Sequence, residues 1–147
     1  MKNKYSYILD HPFTVAVHYR DYQKEDQYYG ARHGNMSQSY YKRVFALFPK
    51  DALFVVFSDN LAWCKENLSP LAEKIIFIEG ESYYLDFYLM SLCKNNIISN
   101  STFSWWSAYL NPHPQKRVIA STKWMEEKSG FNCKDVIPAG WIKLPPL

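Results

Sequence analysis

The sequence predicts an α/β fold in which a mostly parallel sheet is covered by helices on both faces. Short apolar runs rich in β-branched residues recur along the chain, and each is followed by a polar turn and a stretch with helical spacing of apolar residues. This alternation indicates βαβ units, because parallel strands need long crossover connections. No linker, repeat or low-complexity tract interrupts the order, so we expect one domain over residues 1–147.

The apolar runs set the expected order of elements. Strands are predicted at Thr14–Tyr19 and at residues 53–57, 74–78, 96–99 and 117–120, the last of which is expected to complete the sheet. Apolar residues at helical spacing predict helices over residues 40–48, up to residue 68, over 85–92 and over 103–110. The polar stretch 21–38 shows neither period and predicts a long loop.

Composition excludes several classes of protein. The formal net charge is +3 without long runs of like charge, so we expect no nucleic-acid partner, although a mildly positive balance suits a small anionic ligand. No apolar stretch approaches the roughly 20 residues that span a bilayer, so no membrane-spanning segment is predicted. Cys64, Cys93 and Cys133 form no paired motif and are expected to be reduced thiols. We therefore expect a cytoplasmic protein, with peripheral contact to the inner membrane left open.

Polar side chains gather where the first predicted strand ends. His18, Arg20, Asp21 and Tyr22 follow the apolar run directly, and ligands of parallel α/β sheets bind beyond the carboxyl ends of strands. The guanidinium of Arg20 matches the geometry of phosphate oxygens, which makes it a candidate phosphate ligand. An ion pair between Arg20 and a carboxylate is an equally open interpretation.

A second polar cluster lies where the fourth strand ends. Ser99, Asn100, Ser101 and Thr102 lead directly into a predicted helix, and the amino end of a helix binds anions through its backbone N–H groups. Asn100, Ser101 and Thr102 are candidate phosphate ligands. Capping of the helix by Ser101 or Thr102 is the alternative, and both roles are compatible.

Four further side chains, two carboxylates and two histidines, have roles that the sequence defines less specifically. Asp86 stands near the start of a predicted helix, where the helix dipole favours a carboxylate, and it is also placed to reach a purine ring. Asp59, at the end of the second strand, has the same two interpretations, with turn formation favoured. His33 and His113 have no metal-ligand spacing to another His or Cys, so no metal site is predicted.

Several blocks of sequence, in a fixed order, resemble glycosyltransferase family 11, the α-1,2-fucosyltransferases. The most specific block is CKNNIISNSTFSWWSAYLN, which starts at Cys93, and the others are SYYKRV at Ser39, FVVFSDN at Phe54, LDFYLMS at Leu85 and KRVIASTKW at Lys116. The resemblance runs from about residue 13 to residue 141. It implies a Rossmann-like sheet corresponding to the donor-binding half of a GT-B glycosyltransferase, with the amino-terminal acceptor half of the family absent from this chain.

The resemblance also implies roles for the residues at the first strand end. His18 and Arg20 match the first part of a His-x-Arg-Arg-x-Asp-Tyr motif, with Arg20 expected on the diphosphate and His18 near the nucleotide, while Asp21 and Tyr22 match its end. The sequence VHYRDY is shorter than the family pattern and lacks the second arginine, for which Arg32 in the following loop is a candidate replacement. Arg20 and Asp21 are the expected catalytic residues, although Asp21 also fits a role in supporting the loop.

Further positions carry over from the family to the base and phosphate ends of the donor. Asp86 matches the acidic position expected to bind guanine, and Ser101 and Thr102 match the hydroxyl pair expected near the phosphates, with Asn100 beside them. The implied donor is GDP-fucose, used without a cofactor and without a metal ion. The implied reaction is inverting transfer of fucose to the 2-hydroxyl of a galactoside acceptor.

Three hypotheses about function remain open at this point. The first is an active fucosyltransferase, assembled with a separate amino-terminal half. The second is a non-catalytic GDP-sugar binding module or truncated remnant, which the shortened arginine motif favours. The third sets the resemblance aside and assigns a small carbohydrate-binding or interaction domain to the aromatic-rich chain. Self-association is expected if the missing half would otherwise cover apolar surface.

Overall fold

The computed structural model describes residues 2–24, 33–126 and 129–146. Within these ranges it contains six strands, β1 Thr14–Tyr19, β2 Leu53–Ser58, β3 Ile75–Phe77, β4 Asn95–Ile97, β5 Val118–Ser121 and β6 Ile142–Leu144. The α-helices are α1 Lys2–Leu9, α2 Gln38–Phe45, α3 Leu61–Leu68, α4 Tyr83–Leu92 and α5 Thr102–Tyr109. Short 3₁₀ turns occupy Tyr22–Lys24 and Ser69–Leu71.

The strands form one sheet in the order β3-β2-β1-β4-β5-β6, and every neighbouring pair is parallel. This is the doubly wound order of Rossmann-like folds, so the predicted fold class is confirmed. The chain runs outward from β1 in one direction through β2 and β3, and then returns to place β4 on the other side of β1. The crevice between the carboxyl ends of β1 and β4 is the topological switch point, where such sheets bind ligands.

Helices cover both faces of the sheet. All six residues of β1 and the first five of β2 are buried, as expected for strands packed on both sides. Alternate residues of β1 point to opposite cores. Val15 and Val17 pack with α2 and α3, whereas Ala16 packs with α1 and α4. A third cluster joins Val118 and Ala120 of β5 to α5 and the segment around Trp124.

The central strand β4 differs from its apolar neighbours because it begins with two buried asparagines. Asn95 donates to the backbone oxygen of Thr14 at 3.2 Å and accepts the backbone N–H of Arg117 at 3.0 Å. Asn96 donates to the Met90 oxygen at 3.0 Å, and its own side-chain oxygen accepts from Asn111 at 2.7 Å. These bonds satisfy the amides inside the core, where an unpaired polar group would be costly.

Side-chain caps fix the starts of the helices. Ser37, Asn60, Ser82 and Ser101 each accept a backbone N–H from the first turn of α2, α3, α4 and α5, respectively. Because α3, α4 and α5 each follow a parallel strand, their amino ends all lie at the carboxyl edge of the sheet. That edge therefore carries strand ends and helix starts together.

The structure corrects two predictions at the ends of the chain. Residues 117–120 do not form the last strand, because β6 adds a sixth strand beside β5. β6 is three residues long and largely exposed, so it carries no apolar run of the kind that marks the other strands. Helix α1 was also not predicted. It has few apolar residues, of which Tyr5 and Ile8 are buried against the sheet.

The structure also gives the lengths of the helices and the state of the cysteines. In the described part of the chain, no helix has both the length and the apolar character needed to cross a bilayer. All three cysteines are free thiols, as predicted. Burial raises the pKa of the Cys64 thiol to about 11 and that of Cys93 to about 12, which keeps both protonated and unreactive at neutral pH.

Candidate nucleotide-sugar site

A cavity of about 770 Å³ opens at the carboxyl edge of the sheet, over the switch point. Its walls come from the last residues of strands β1 and β2 and from residues that follow each of the strands β1 to β5. The described residues that line it are His18, Arg20, Tyr22, His33, Phe57, Ser58, Asp59, Glu81, Tyr83, Asp86, Asn100, Ser101, Thr102, Phe103, Trp124 and Met125. The structure thus brings together all the candidate donor-binding residues predicted from the sequence.

Arg20 lies in the cavity wall and is paired with a carboxylate. Its Nη1 atom donates to Oδ2 of Asp59 at 2.8 Å, and the guanidinium also lies over the ring of Tyr22, 5.3 Å from its centre. The ring is itself tethered, since the Tyr22 hydroxyl donates to the Asn100 carbonyl at 2.6 Å. The ion-pair interpretation of Arg20 is therefore confirmed, and its phosphate-binding role stays a prediction for a side chain that also lines the cavity.

Within the described part of the chain, Asp21 is the one predicted site residue that is not among the lining residues. It is buried, and its Oδ1 atom accepts from the Gln23 backbone at 3.0 Å and from the Asn35 amide at 2.9 Å. Its Oδ2 atom accepts from Asn60 at 2.8 Å. A carboxylate engaged by three donors organises the loop after β1, which is the second of the two roles considered for it.

His18 contributes a neutral imidazole. The side chain is 5% exposed, and its Nδ1 lies 2.8 Å from the hydroxyl of Ser99 at the end of β4. Burial, together with the nearby charge of Arg20, lowers the pKa of His18 to about 3. This contact joins the tips of β1 and β4 directly across the switch point.

Asn100 ties two loops to the tip of β4. Its amide group donates to the carbonyl of Gly34 at 2.9 Å and to that of Trp124 at 3.1 Å. Its Oδ1 atom is buried without a hydrogen-bond partner within the described structure. Asn100 therefore holds the walls of the cavity, and its amide donors are occupied by the protein.

Helix α5 begins at the cavity. The hydroxyl of Ser101 accepts the backbone N–H of Phe103 at 3.3 Å, and the Ser101 carbonyl accepts that of Trp105 at 2.9 Å. Thr102, the first residue of α5, is exposed, and both hydroxyl residues line the cavity. Ser101 is thus a cap, as one interpretation predicted, and it also places the positive end of the helix dipole at the cavity wall.

Two carboxylates also line the cavity, near the start of α4. Glu81 accepts hydrogen bonds from Lys4 and from the Tyr5 hydroxyl of α1, and these contacts lower its pKa. Asp86 is half-buried, and its Oδ1 atom is buried without a partner in the described part of the chain. Burial, with a smaller effect of Glu81, raises the pKa of Asp86 to about 6.

Within the described ranges, each of the three carboxylates that line the cavity has its negative charge offset or reduced. Asp59 is paired with Arg20 and Glu81 with Lys4, while Asp86 is shifted towards its neutral form. Such pairing limits the repulsion that carboxylates would exert on an anion. Among the described residues, no group of three or more His, Cys, Asp or Glu side chains is placed to hold a metal ion. Arg32, the candidate replacement for the second arginine of the motif, lies outside the described residues.

Two details of the β1 tip were not predicted from the sequence. The carboxylate that pairs with Arg20 is Asp59, for which turn formation was the favoured role, and His33 stacks on the ring of Tyr22 with 4.4 Å between ring centres. The first contact follows from register. β1 pairs with β2 so that Tyr19 lies opposite Ser58, and the next residue on each strand is Arg20 or Asp59. Knowing that β1 and β2 are neighbours would have identified the pair.

Comparison with known proteins matches residues 13–144 to the family described as Glycosyl transferase family 11. Over 144 residues the chain is 31% identical to the O-antigen biosynthesis glycosyltransferase WbnK of Escherichia coli. The matched region is 93% of this chain and 46% of WbnK. Over 95 residues it is 38% identical to the alpha-1,2-colitosyltransferase of Escherichia coli, covering 63% of this chain and 32% of that protein. A shorter stretch of 65 residues is 37% identical to galactoside alpha-(1,2)-fucosyltransferase 2 of Sus scrofa, covering 42% of this chain and 19% of that protein.

The chain thus spans less than half the length of each of these relatives. No solved structure matches it. The family match covers most of the chain, including β1 to β6 and every candidate site residue, and it agrees with the resemblance found in the sequence. The chain therefore belongs to glycosyl transferase family 11.

Proposed function

We propose that this chain forms the donor-binding unit of an α-1,2-fucosyltransferase and binds GDP-fucose in the switch-point cavity. The observation that carries the proposal is convergence: Arg20 and the amino end of α5 line the same cavity although they are far apart in sequence. A guanidinium and a helix start are two of the features that proteins use to bind phosphate groups. The volume of about 770 Å³ lies in the range of small-molecule sites.

The lining residues suggest an orientation for the donor. Arg20, Ser101 and Thr102 would contact the diphosphate, and Asp86 near the start of α4 would accept hydrogen bonds from the N–H groups of guanine. His18 would lie beside the nucleotide as an uncharged group, because its lowered pKa keeps it neutral at working pH. Asn100 would shape the wall, since its amide donors already bind protein carbonyls.

Catalysis in this proposal is mainly electrostatic. Inverting transfer joins the anomeric carbon of fucose to the oxygen of a galactoside 2-hydroxyl and breaks the bond between that carbon and the diphosphate. The hydroxyl proton passes to a base, and negative charge builds on the departing GDP. Arg20 and the start of α5 would stabilise that charge in a preorganised site. Asp21 would act by holding the loop after β1 rather than by contacting the substrate. The proposal also includes a galactoside acceptor. It further includes a protein partner, which is either a separate amino-terminal half or a second copy of this chain.

A non-catalytic GDP-sugar binding module is the second candidate, and the shortened motif VHYRDY favours it. Both candidates predict GDP binding, so they differ only in turnover. Incubation with GDP-fucose and a galactoside, followed by detection of fucosylated product and free GDP, separates them. Product formation supports the enzyme, whereas tight GDP binding without transfer or hydrolysis supports the binding module. The third hypothesis, an unrelated carbohydrate-binding domain, conflicts with the family match.

Calorimetric titration with GDP, ADP and guanosine tests the proposal directly. We expect GDP to bind at least tenfold more tightly than ADP, because a site that hydrogen-bonds a particular base leaves its polar groups unpaired against another. Guanosine should bind more weakly than GDP, because it lacks the diphosphate. Equal affinity for GDP and ADP would exclude guanine recognition, and the absence of any nucleotide binding would exclude a donor site.

A further inference from the structure

We propose that Asp59 is a positioning residue that holds the guanidinium of Arg20 in place for the diphosphate. This inference rests on the proposed function, because it assumes that Arg20 binds phosphate. The carboxylate of Asp59 has two identified partners. Its Oδ2 atom accepts from Nη1 of Arg20 at 2.8 Å, and its Oδ1 atom accepts from the backbone N–H of Asp21 at 2.8 Å. One side chain therefore bonds both the backbone of the β1 tip and the end of the arginine.

The turn that carries Asp59 is itself fixed against β1. The Ser58 hydroxyl donates to the Tyr19 carbonyl at 2.7 Å and accepts the backbone N–H of Asn60 at 2.9 Å. The amide of Asn60 in turn donates to Asp21. The last residue of β2 and the two residues after it thus bind the last residue of β1 and the segment that follows it, so the sheet determines the position of the Asp59 carboxylate.

Tyr22 holds Arg20 from a second side. Its ring lies under the guanidinium, and its hydroxyl bonds the Asn100 carbonyl at the tip of β4. An arginine side chain has many rotamers, and part of that rotamer entropy would otherwise be lost when a ligand binds. Holding the side chain before the ligand arrives removes that cost and raises affinity.

Asp59 is also negatively charged, so its effect on an anionic ligand has two opposing components. It repels the diphosphate through space, but it orients the group that attracts it. A guanidinium presents five N–H donors in a rigid fork, so one side chain can bind a carboxylate and an anion together. We infer that orientation outweighs repulsion, because the Asp59 charge is already paired with that of Arg20.

A double-mutant cycle with Asp59→Ala and Arg20→Ala tests the inference. Affinities for GDP and for guanosine are measured by calorimetry in the wild type, both single variants and the double variant. We expect Asp59→Ala to weaken GDP binding about tenfold in the wild type, with no effect on guanosine and no further loss when Arg20 is already alanine. Asp59→Asn keeps an acceptor oxygen and should recover much of the affinity. Glu79→Ala, which removes a carboxylate outside the lining residues that pairs with Lys65, is the matched control.

A measurement without ligand keeps the inference independent of GDP binding. The heteronuclear NOE of the Arg20 side-chain Nε–Hε group should be high in the wild type and fall in Asp59→Ala, while that of Arg43 stays unchanged. An equally ordered Arg20 in Asp59→Ala would overturn the inference, as would additive losses in the cycle, a matching loss for guanosine, or tighter GDP binding. Unchanged GDP affinity in Arg20→Ala would instead contradict the phosphate role of Arg20 and leave the NOE to decide on positioning. If Asp59→Ala does not fold, Asp59→Asn replaces it in both measurements, with smaller effects of the same sign.

Discussion

The tips of β1 and β4 face the same cavity but are held by different kinds of interaction. At the β1 tip a charged side chain, Arg20, depends on Asp59, a residue far away in the sequence. At the β4 tip Ser101 caps its own helix, and the neutral amide of Asn100 binds backbone carbonyls. We therefore expect substitutions at the β1 tip to affect mainly ligand binding, and substitutions at the β4 tip to affect mainly the stability of the fold.

The largest expected effect is on folding, from Asn100→Ala at the β4 tip. The change leaves the carbonyls of Gly34 and Trp124 without their amide donor, and each buried unpaired group costs about 1–3 kcal/mol. We expect a loss of about 3 kcal/mol in the free energy of unfolding, or about 10 °C in Tm. Thermal and urea unfolding followed by circular dichroism measures it. Asn67→Ala, which removes an amide that bonds one carbonyl of α3, is the control and should cost less than about 1 kcal/mol. A loss for Asn100→Ala no greater than this control would remove the distinction between the tips.

At the β1 tip, Arg20→Ala should reverse that pattern. We expect GDP affinity to fall about 100-fold, equivalent to about 2.7 kcal/mol, because charge-assisted bonds to the diphosphate are lost. Stability should change by less than about 1 kcal/mol, since the ion pair with Asp59 is partly exposed.

Two variants sharpen the interpretation of Arg20. Arg20→Lys keeps the charge without the fork and should lie between the wild type and Arg20→Ala in GDP affinity. Lys65→Ala removes one positive charge from an exposed ion pair outside the cavity lining and should leave affinity unchanged. Equal losses in Lys65→Ala and Arg20→Ala would show that net charge, and not the site, attracts GDP.

A smaller effect is expected where the β4 tip enters α5. Ser101→Ala removes the helix cap and should destabilise the protein by about 1 kcal/mol, as caps in other helices do. Because the helix start frays, GDP affinity should also fall about threefold. Thr102→Ala alters the neighbouring exposed hydroxyl and should change stability by less than about 0.5 kcal/mol. Equal stability of both variants would argue against the capping role of Ser101.

The smallest effect concerns Asp86, which lines the cavity near the start of α4. Its pKa is about 6 in the folded protein and lower in the unfolded chain, so the folded state retains a proton that the unfolded state releases. Stability from this group therefore falls as pH rises towards 6 and is constant above it. Asp86→Asn should stabilise the protein by about 1 kcal/mol at pH 7.5, after allowance for partial exposure, and have no effect near pH 3. Urea unfolding of the wild type and of Asp86→Asn at each pH measures the difference in their free energies of unfolding. The lowered pKa of His18 makes stability rise with pH, but it does so equally in both proteins and cancels in that difference. No gain at pH 7.5 would contradict the raised pKa.

Sequence was sufficient where the structure depends on local pattern. Apolar runs located five of the six strands, and the start of α5 followed from Ser101 beside an apolar helical stretch. The candidate residues that line the cavity were also found in this way, because the carboxyl ends of parallel strands meet at one edge.

Sequence was insufficient where a residue's role depends on its neighbour in the sheet. The pairing of Arg20 with Asp59 requires the strand order, and strand order depends on tertiary packing that apolar periodicity does not encode. The burial that raises the pKa of Asp86 and lowers that of His18 likewise becomes known only when the helices are in place. β6 was missed for a related reason: it owes its conformation to pairing with β5 and carries little apolar signal of its own.

The asparagines that open β4 have a consequence for how the sheet chooses its register. The apolar residues 15–17 of β1 and 53–57 of β2 offer almost the same burial after a shift along the strand, so apolar bulk discriminates weakly between alignments. Moving β4 by one position would turn Asn95 and Asn96 to the opposite faces and separate them from Thr14 and Met90. A shifted β4 would therefore bury side-chain amides without hydrogen-bond partners, which costs free energy. The hydrogen bonds of these two asparagines thus fix the register of β4, and with it the position of the crevice between β1 and β4.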